Sequence, residues 1–192
     1  MKKLAGPSKI NTSVFISGTG SNLKNLIKFS LKKKSPILIR SVISNNNKAK
    51  GLTFAKKNKI KTKIYKFKNG YNNENDIIKY LKKDDINLIC LAGFMKILSK
   101  NFIKKFRGKI LNIHPSLLPK YKGLNTHQRA LENKDNFSGC TVHFVNSRLD
   151  SGKIILQKKV KIYKNDTPAK LRKRILKQEH IIYPKAIKML QF

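Results

Sequence analysis

The sequence predicts an α/β protein built on a doubly wound, mostly parallel mixed sheet of about seven strands flanked by helices. Short apolar segments rich in β-branched residues alternate with segments whose apolar residues recur at helical spacing, as in Ser21–Lys33. The segment Ile86–Ala92 is apolar almost without a break, which is typical of a central parallel strand covered on both faces. Because the chain repeats this strand–helix order, we expect parallel strands joined by right-handed crossovers.

The ends of the elements carry their own signals. Ser99 and Thr167 are expected to cap the helices that follow them, and Pro168 occupies the first helical position after Thr167. Pro184 is expected to kink the last helix or to divide it in two. A turn over 146–152 joins two late strands and predicts an antiparallel extension of the sheet. The predicted strands are Thr12–Ser17, Pro36–Ser44, Lys61–Phe67, Ile86–Ala92, Lys109–Ile113, Cys140–Val145 and Lys153–Val160. The predicted helices are Ser21–Lys33, Lys48–Asn58, Glu74–Lys83, 100–106, Leu124–Glu132 and the last helix from Pro168, and Gly70–Asn73 is expected to be a loop.

The length of 192 residues suits one domain with one sizeable core. We expect residues 1–11 to form a flexible lead-in and residues 12–192 to form a single domain. No apolar run approaches about 18 residues, so no membrane span is expected, and the start of the chain does not resemble a signal peptide. Cys90 and Cys140 fall in strand-like segments, a pattern typical of reduced proteins, so we expect a cytoplasmic protein.

The formal net charge of +35 has two competing explanations. One is nucleic-acid binding through neutralisation of phosphates. The other is compositional bias, because the excess is lysine and accompanies abundant Asn and Ile, whose codons are rich in A and T. The lysines are spread along the whole chain, and Arg, which base-specific readers favour, is scarce. Non-specific binding to polyanions is expected on charge alone.

A glycine-containing loop follows the first predicted strand. Backbone N–H groups at Gly20, Ser21 and Asn22 would lie at a helix N-terminus, where hydrogen bonds and the helix dipole both favour a phosphate. Leu23 replaces the third glycine of a dinucleotide fingerprint, and no Gly-Lys-Ser/Thr follows. A single phosphomonoester is therefore a better prediction than NAD or ATP, and the alternative is an ordinary strand–helix turn.

A polar pair lies at the end of the fifth predicted strand. Asn112 and His114 are two positions apart, so their side chains point to the same face, and Pro115 disfavours helix at His114. A nearby carboxylate would make this histidine a stronger base. Asp150, in the turn between two late strands, is the candidate, although an acid in a turn is often a local cap.

The remaining histidines are weaker candidates. His127 opens a predicted helix, His143 lies in a strand where it can pack or line the site, and His180 follows Glu179 on the last helix. No spacing of His, Cys and acidic residues matches a zinc site. Neither a Gly-x-Ser-x-Gly elbow nor a Cys–His pair indicates covalent catalysis. The sequence therefore predicts a site without metal.

Six blocks of this chain, taken in order and at this spacing, resemble one family. They are ISGTGSNL at Ile16–Leu23, LAGFMKILS at Leu91–Ser99, LNIHPSLLPKYKGLNTHQRALE at Leu111–Glu132, TVHFV at Thr141–Val145, LDSGKIILQ at Leu149–Gln157 and QEHIIYP at Gln178–Pro184. Together they resemble the folate-dependent phosphoribosylglycinamide formyltransferases of purine synthesis.

The resemblance implies the formyltransferase fold together with the activity of the family. It implies transfer of the formyl group of N10-formyltetrahydrofolate to the amine of 5'-phosphoribosylglycinamide by a monomer or homodimer, with small-molecule substrates, no membrane and no metal. Asn112, His114 and Asp150 match the catalytic trio, in which Asn112 and protonated His114 would donate to the formyl oxygen. The positions that match phosphoribosylglycinamide-binding residues are Gly20, Ser21, Asn22 and Glu179. The positions that match folate-binding residues are Met95, Lys96, Ile97, Leu98, Asn112, Asn146, Ser147, Arg148, Leu149 and Asp150.

The chain departs from the family pattern at three places. Asn125 stands where the family often has His, and Ser151 stands where it often has Gly, which puts a bulkier residue in the loop expected to close over the pterin. An Arg for the folate glutamate tail has no clear equivalent near Gly70–Asn75. Other N10-formylfolate enzymes share similar blocks, so the alternative acceptors are an amine on a tRNA or on a nucleotide sugar. The alternative from another class is a non-catalytic polyanion-binding module.

Overall fold

A computed structural model describes residues 9–65 and 74–190. Strands and helices alternate in the predicted order. The strands are β1 Ile10–Ile16, β2 Ile37–Ser44, β3 Lys61–Ile64, β4 Leu88–Leu91, β5 Lys109–His114, β6 Phe137–Phe144 and β7 Ile154–Lys161. The helices are α1 Ser21–Ser30, α2 Gly51–Lys57, α3 Glu74–Lys83, α4 Lys100–Lys105, α5 Thr126–Glu132 and α6 Pro168–Lys188.

The strands form a seven-stranded sheet in the order β3-β2-β1-β4-β5-β6-β7. β1 pairs in parallel with β2 and with β4, and β2 pairs in parallel with β3. β6 is antiparallel to both β5 and β7. The predicted doubly wound mixed sheet with a late antiparallel extension is therefore confirmed. The strand order reverses between β1 and β4, which is the position where open α/β sheets bind ligands.

The described chain forms two compact units. The first contains the described residues up to Lys96 together with Lys105–Lys109. Its core is made by the central strands and the inner face of α1, where Phe15, Leu26 and Ile89 have no exposed surface. Burying each such side chain stabilises the fold by roughly 1.5–3 kcal/mol.

The second unit contains residues 97–104 and the described residues from Ile110 onwards. Its β6–β7 hairpin packs against α6. Tyr183 of α6 is fully buried, and its hydroxyl donates to the Leu111 carbonyl at 3.3 Å. The buried polar group is thereby satisfied, as buried donors in stable cores are. The expectation of a single domain over 12–192 stays a prediction.

Both predicted helix caps are present. The Thr167 hydroxyl accepts from the Lys170 N–H at 3.2 Å, and the Ser99 hydroxyl accepts from the Phe102 N–H at 3.0 Å. Pro184 was expected to kink the last helix or to divide it in two, and the division is wrong, because α6 runs without a break through this residue. The kink stays a prediction. Buried side chains beyond the proline keep the last turns packed, and this packing outweighs the lost hydrogen bond.

Several predicted boundaries need correction. β1 begins at Ile10 rather than Thr12, because Ile10 and Asn11 pair with β2, so these two residues do not belong to a flexible lead-in. α1 ends at Ser30, and α2 begins at Gly51 instead of Lys48. The predicted loop Gly70–Asn73 and the predicted end of the third strand at Phe67 lie outside the described residues. Among the described helices, none combines the length and the apolar character needed to cross a membrane.

Candidate active site

The loop between β1 and α1 makes a close turn against α2. Gly20 has φ 74 and ψ 26, the left-handed region that favours glycine. A Cβ at this residue would lie 2.4 Å from the Cα of Gly51, so position 20 has no room for a side chain. The Gly51 N–H donates to the Gly18 carbonyl at 3.0 Å and holds the two segments together. Backbone packing therefore requires the glycine that the sequence pattern singled out.

Ser17 anchors the start of the same loop. Its hydroxyl donates to Asn45 Oδ1 at 2.5 Å and accepts from the Met95 N–H at 2.7 Å. Its carbonyl accepts from Asn46 Nδ2 at 3.2 Å. These contacts join the segments that follow β1, β2 and β4, so they fix the start of the loop.

The predicted phosphate residues Gly20, Ser21 and Asn22 form the turn and the first residues of α1. The first intrahelical bond of α1 runs from the Lys24 N–H to the Gly20 carbonyl at 2.8 Å. The helix dipole favours an anion at this end of the helix. No acidic residue occupies the first turn, so this end of α1 is suited to a phosphate.

In the second unit, the structure brings the predicted trio together. Asn112 and His114 lie on β5, and Asp150 lies in the turn before β7, where it adopts φ 44. Asp150 Oδ2 lies 3.4 Å from His114 Nδ1, and Asp150 Oδ1 accepts from Asn112 Nδ2 at 3.4 Å. The His114 and Asp150 side chains are only 6% and 8% exposed. Low exposure reduces the solvent screening of interactions between these two side chains.

The backbone of the β5–α5 connection also holds Asp150. The Gly123 N–H donates to Asp150 Oδ2 at 2.9 Å, which is closer than either Asn112 or His114 comes to this carboxylate. The contacts from those two side chains are longer than the 2.7–2.9 Å or so of strong charge-assisted hydrogen bonds. Asp150 is therefore fixed by the backbone, while Asn112 and His114 make longer contacts with it.

His143 is a member of the cluster that the sequence left undecided. It pairs with Asn112 across β5 and β6, and its Nε2 lies 3.2 Å from Asn112 Nδ2 and 3.7 Å from Asp150 Oδ1. Burial lowers the pKa of His143, although the Phe144 carbonyl and Asp150 act in the opposite direction. Nδ1 lies 2.8 Å from the Phe144 carbonyl, so the neutral ring donates there and Nε2 accepts from Asn112. Strand register, which sequence spacing alone does not give, would have identified it.

The other ring nitrogen of His114, Nε2, is hydrogen-bonded to the backbone. Nε2 lies 2.8 Å from the Tyr121 carbonyl, an oxygen that can only accept. Nε2 therefore carries a proton, and Nδ1 is the ring nitrogen that faces Asp150. The expectation that His114 donates to a formyl oxygen now concerns Nδ1 specifically, and it requires the ring to be protonated on both nitrogens.

The remaining polar candidates differ in exposure, because Glu179 is buried whereas His127 and His180 are half-buried. Glu179 on α6 is 7% exposed, and its charge together with the larger effect of burial raises the pKa of the Cys140 thiol to about 12. Burial, helped by Arg172 and His114, lowers the pKa of His127 to about 4, so this ring is neutral at pH 7. His114 and His143 both lie within ion-pair distance of the Asp150 carboxylate, and His114 is the closer of the two, at 3.4 Å against 3.7 Å.

The predicted folate segments differ in exposure. Met95 and Ile97 are 65% and 75% exposed, Lys96 is also exposed, and Leu98 is buried in the core at 5%. Leu98 can therefore reach a ligand only through its backbone. Met95 and Lys96 belong to the first unit, whereas Ile97 and Leu98 belong to the second.

The loop before Asp150 is exposed but internally bonded. Asn146 Nδ2 donates to the Ser151 carbonyl at 3.2 Å, and Asn146 Oδ1 accepts from the Arg148 N–H at 3.0 Å. Ser147 and Leu149 are exposed, and Leu149 keeps 51% of its surface accessible. An exposed apolar side chain on an ordered loop is suited to cover a flat ring.

The departures from the family pattern are accommodated locally. Asn125 adopts φ 57 as the N-cap of α5, a conformation that Asn tolerates. The Ser151 hydroxyl donates to the Leu149 carbonyl at 2.8 Å, and Lys122 Nζ donates to the same hydroxyl at 2.6 Å. Residues 66–73, which include most of the segment where a tail-binding Arg was expected, lie outside the described residues.

The fold and the site together define an α/β enzyme that uses polar side chains, with a doubly wound sheet, a glycine turn at the start of α1 and a largely shielded Asn–His–Asp cluster. The chain belongs to the formyl transferase family, whose model matches residues 10–187. The family resemblance seen in the sequence is therefore confirmed.

Individual relatives agree with the family. The chain is 47% identical over 191 residues to phosphoribosylglycinamide formyltransferase of Haemophilus influenzae, covering 98% of this chain and 86% of that protein. It is 42% identical over 183 residues to phosphoribosylglycinamide formyltransferase of Escherichia coli, covering 93% of this chain and 85% of that protein. The crystal structure of phosphoribosylglycinamide formyltransferase from Anaplasma phagocytophilum matches with a TM-score of 0.89 and 43% identity, over 95% of this chain and 86% of that chain.

Proposed function

We propose that this protein transfers the formyl group of N10-formyltetrahydrofolate to the amine of 5'-phosphoribosylglycinamide in purine biosynthesis. The observation that carries the proposal is the convergence of Asn112 Nδ2 and His114 Nδ1 on the buried carboxylate of Asp150. Two donors that meet at one point are the arrangement needed to stabilise the oxygen of a tetrahedral intermediate. The relatives are named phosphoribosylglycinamide formyltransferase, and on this basis we assign a formyl group as the group transferred and phosphoribosylglycinamide as the acceptor.

The reaction proceeds by direct transfer. The amine nitrogen of the acceptor forms a bond to the formyl carbon, and negative charge develops on the formyl oxygen. Asn112 and doubly protonated His114 donate to that oxygen, exchanging their long contacts with Asp150 for shorter ones. The bond from the formyl carbon to N10 then breaks, the amine releases a proton, and N10 takes one up. Asp150 keeps the imidazolium stable and can organise a water that moves this proton.

Substrate binding is assigned residue by residue. Gly20, Ser21 and Asn22 bind the phosphate through the N-terminus of α1, and Glu179 binds the glycinamide portion. The family implies a folate-derived formyl donor, and we assign its pterin to Met95–Leu98 and to Asn146–Asp150. The exposed Met95, Ile97 and Leu149 side chains support this assignment, because apolar groups on the surface are available to a planar ring. The proposed reaction uses no metal.

The charge and the cysteines support two further parts of the proposal. The net charge of +35 supports loose, salt-dependent association with polyanions. The buried free thiols of Cys90 and Cys140 support a reducing compartment, the cytoplasm. We assign a monomer or homodimer, which sedimentation over a range of protein concentrations would decide.

An absorbance assay for deformylated folate tests the function. With N10-formyltetrahydrofolate present, the folate product should accumulate when phosphoribosylglycinamide is added and should not accumulate when it is omitted. Transfer to a tRNA or nucleotide-sugar amine, with none to phosphoribosylglycinamide, would replace the proposed acceptor. Salt-dependent polyanion binding without any folate turnover would replace the enzyme with a binding module.

A further inference from the structure

Tyr121 holds its carbonyl toward His114 in an unfavourable backbone conformation. Its φ is 55, the left-handed region that bulky side chains rarely adopt. Such a conformation persists only where the surrounding contacts hold it, and it often marks a functional position. The carbonyl of this residue accepts a hydrogen bond from His114 Nε2 at 2.8 Å, so the strained residue contacts the proposed catalytic ring directly.

The Tyr121 side chain supplies the holding contacts. Its hydroxyl donates to Asp135 Oδ2 at 2.8 Å, and the Arg129 guanidinium lies 5.1 Å from its ring centroid. Lys120 Nζ donates to Asp135 Oδ1 at 3.1 Å and completes the group. Burial, together with the hydrogen bond to Asp135, raises the pKa of Tyr121, so its hydroxyl remains a donor. We call Lys120, Tyr121, Arg129 and Asp135 the Tyr121 clamp.

The two carbonyls beside that of Tyr121 are held as well. Ser116, which has no exposed surface, donates from Oγ to the Lys120 carbonyl at 2.6 Å. Arg129 Nη1 donates to the Lys122 carbonyl at 2.8 Å, so the arginine of the clamp bonds to the backbone and also packs on the tyrosine ring. The peptide units on both sides are thus fixed, and Ser116 Oγ also lies 3.5 Å from the Tyr121 carbonyl. Ser116 and the clamp together determine where this carbonyl points.

We infer that Tyr121 and Asp135 are positioning residues that aim His114 Nδ1 by fixing the carbonyl bonded to Nε2. The inference rests on the proposed function, because aiming Nδ1 matters only if that nitrogen serves the reaction. The imidazole is rigid, so an acceptor on Nε2 sets the direction of the N–H on Nδ1. If the clamp is loosened, the Tyr121 carbonyl can move and the His114 ring can rotate with it. His114 Nδ1 is then no longer held 3.4 Å from Asp150 Oδ2.

The central test compares Tyr121→Phe, which deletes one hydroxyl, with the wild-type protein. We expect kcat to fall about tenfold, with KM for both substrates within about twofold, because displacements well under 1 Å are costly at a reacting centre. In histidine-¹⁵N-labelled protein, the Nε2–H resonance of His114 should lose its strongly hydrogen-bonded position. Asp135→Ala should reproduce both effects, and the double variant should be no worse than either single one, as coupled residues require.

Two further variants separate positioning from general damage. Asp135→Asn keeps an acceptor for the tyrosine hydroxyl and should retain kcat within about threefold. Asp166→Ala removes a comparable cluster, in which Arg174 pairs with Asp166 and packs on Tyr163, and it should leave kcat and the His114 resonance unchanged while lowering Tm.

The outcomes decide the inference in each case. Wild-type kcat in Tyr121→Phe, or a reduced kcat with an unaltered His114 resonance, would overturn it. If kcat falls equally in Asp166→Ala, the effect of the clamp variants comes from reduced stability, and the inference is overturned too. If Tyr121→Phe does not fold, the contrast between Asp135→Ala and Asp135→Asn decides in its place. If the wild-type protein transfers no formyl group, the proposed function fails, and the resonance alone decides whether the clamp aims His114.

Discussion

Replacing Asp150 with Asn tests whether its charge, and not its shape, serves the reaction. Asp150 Oδ2 lies 3.4 Å from His114 Nδ1, and unit charges at that distance attract by about 5 kcal/mol at an effective dielectric constant of about 20. Part of this attraction is present before the reaction begins, and that part does not lower the activation barrier. The expected increase in the activation free energy is therefore that of losing one hydrogen bond to a charged group, about 1.5–3 kcal/mol. We therefore expect kcat to fall between about tenfold and about 150-fold.

The substitution keeps most of the surrounding structure. In the wild-type protein the Gly123 N–H donates to Asp150 Oδ2 at 2.9 Å. The side-chain oxygen of Asn can accept the same hydrogen bond, so the turn and the fold should be retained. Steady-state turnover of N10-formyltetrahydrofolate gives kcat, and circular dichroism checks the fold. Asp166→Asn is the matched control, because it neutralises another buried carboxylate and should leave kcat unchanged. A folded Asp150→Asn enzyme with wild-type kcat would refute the reasoning and remove Asp150 from the trio.

Three other predictions follow from the structure. Ser21→Asp should raise KM for phosphoribosylglycinamide more than KM for the folate, because it adds a negative charge where a phosphate is proposed to bind; an equal rise in both would count against that assignment. Gly20→Ala should destabilise the protein by about 1–3 kcal/mol more than Gly93→Ala in urea unfolding. The two glycines share a φ near 70, but only at Gly20 would the Cβ meet backbone. The hydrogen bond from Arg174 lowers the pKa of Asp166 below its usual 3.8, so Asp166 contributes stability above that pH. The Tm difference between wild type and Asp166→Asn should shrink as the pH falls below 3.8, and a difference independent of pH would refute this.

Local patterns predicted most of the architecture. The bounds of α3 were predicted without error, and the caps Ser99 and Thr167 lie where the sequence placed them. The start of β1 was missed, because Asn11 breaks the apolar run and only pairing with β2 draws Ile10 and Asn11 into the strand. Such pairing is a property of the folded sheet, and no local signal reports it.

Some residues of the candidate site could likewise be predicted from local sequence, and others required the folded structure. Asn112 and His114 could be predicted because the period of two along a strand fixes their common face. His143 required the register between β5 and β6, which brings it opposite Asn112. The carbonyl of Tyr121 could not be predicted at all, because every residue carries a carbonyl and the sequence does not reveal which one bends toward the ring. For the roles of the trio, the geometry is in place and the assignment stays a prediction.

The protection of the native thiols makes this chain a convenient host for chemical labels. Its two cysteines, Cys90 and Cys140, are both shielded from solvent, and the raised pKa of Cys140 leaves almost no thiolate at pH 7. A cysteine introduced in place of the exposed Leu149 would therefore react ahead of both with a maleimide dye. The fluorescence of such a probe could follow the loop before Asp150 in real time, with no need to remove the native cysteines first.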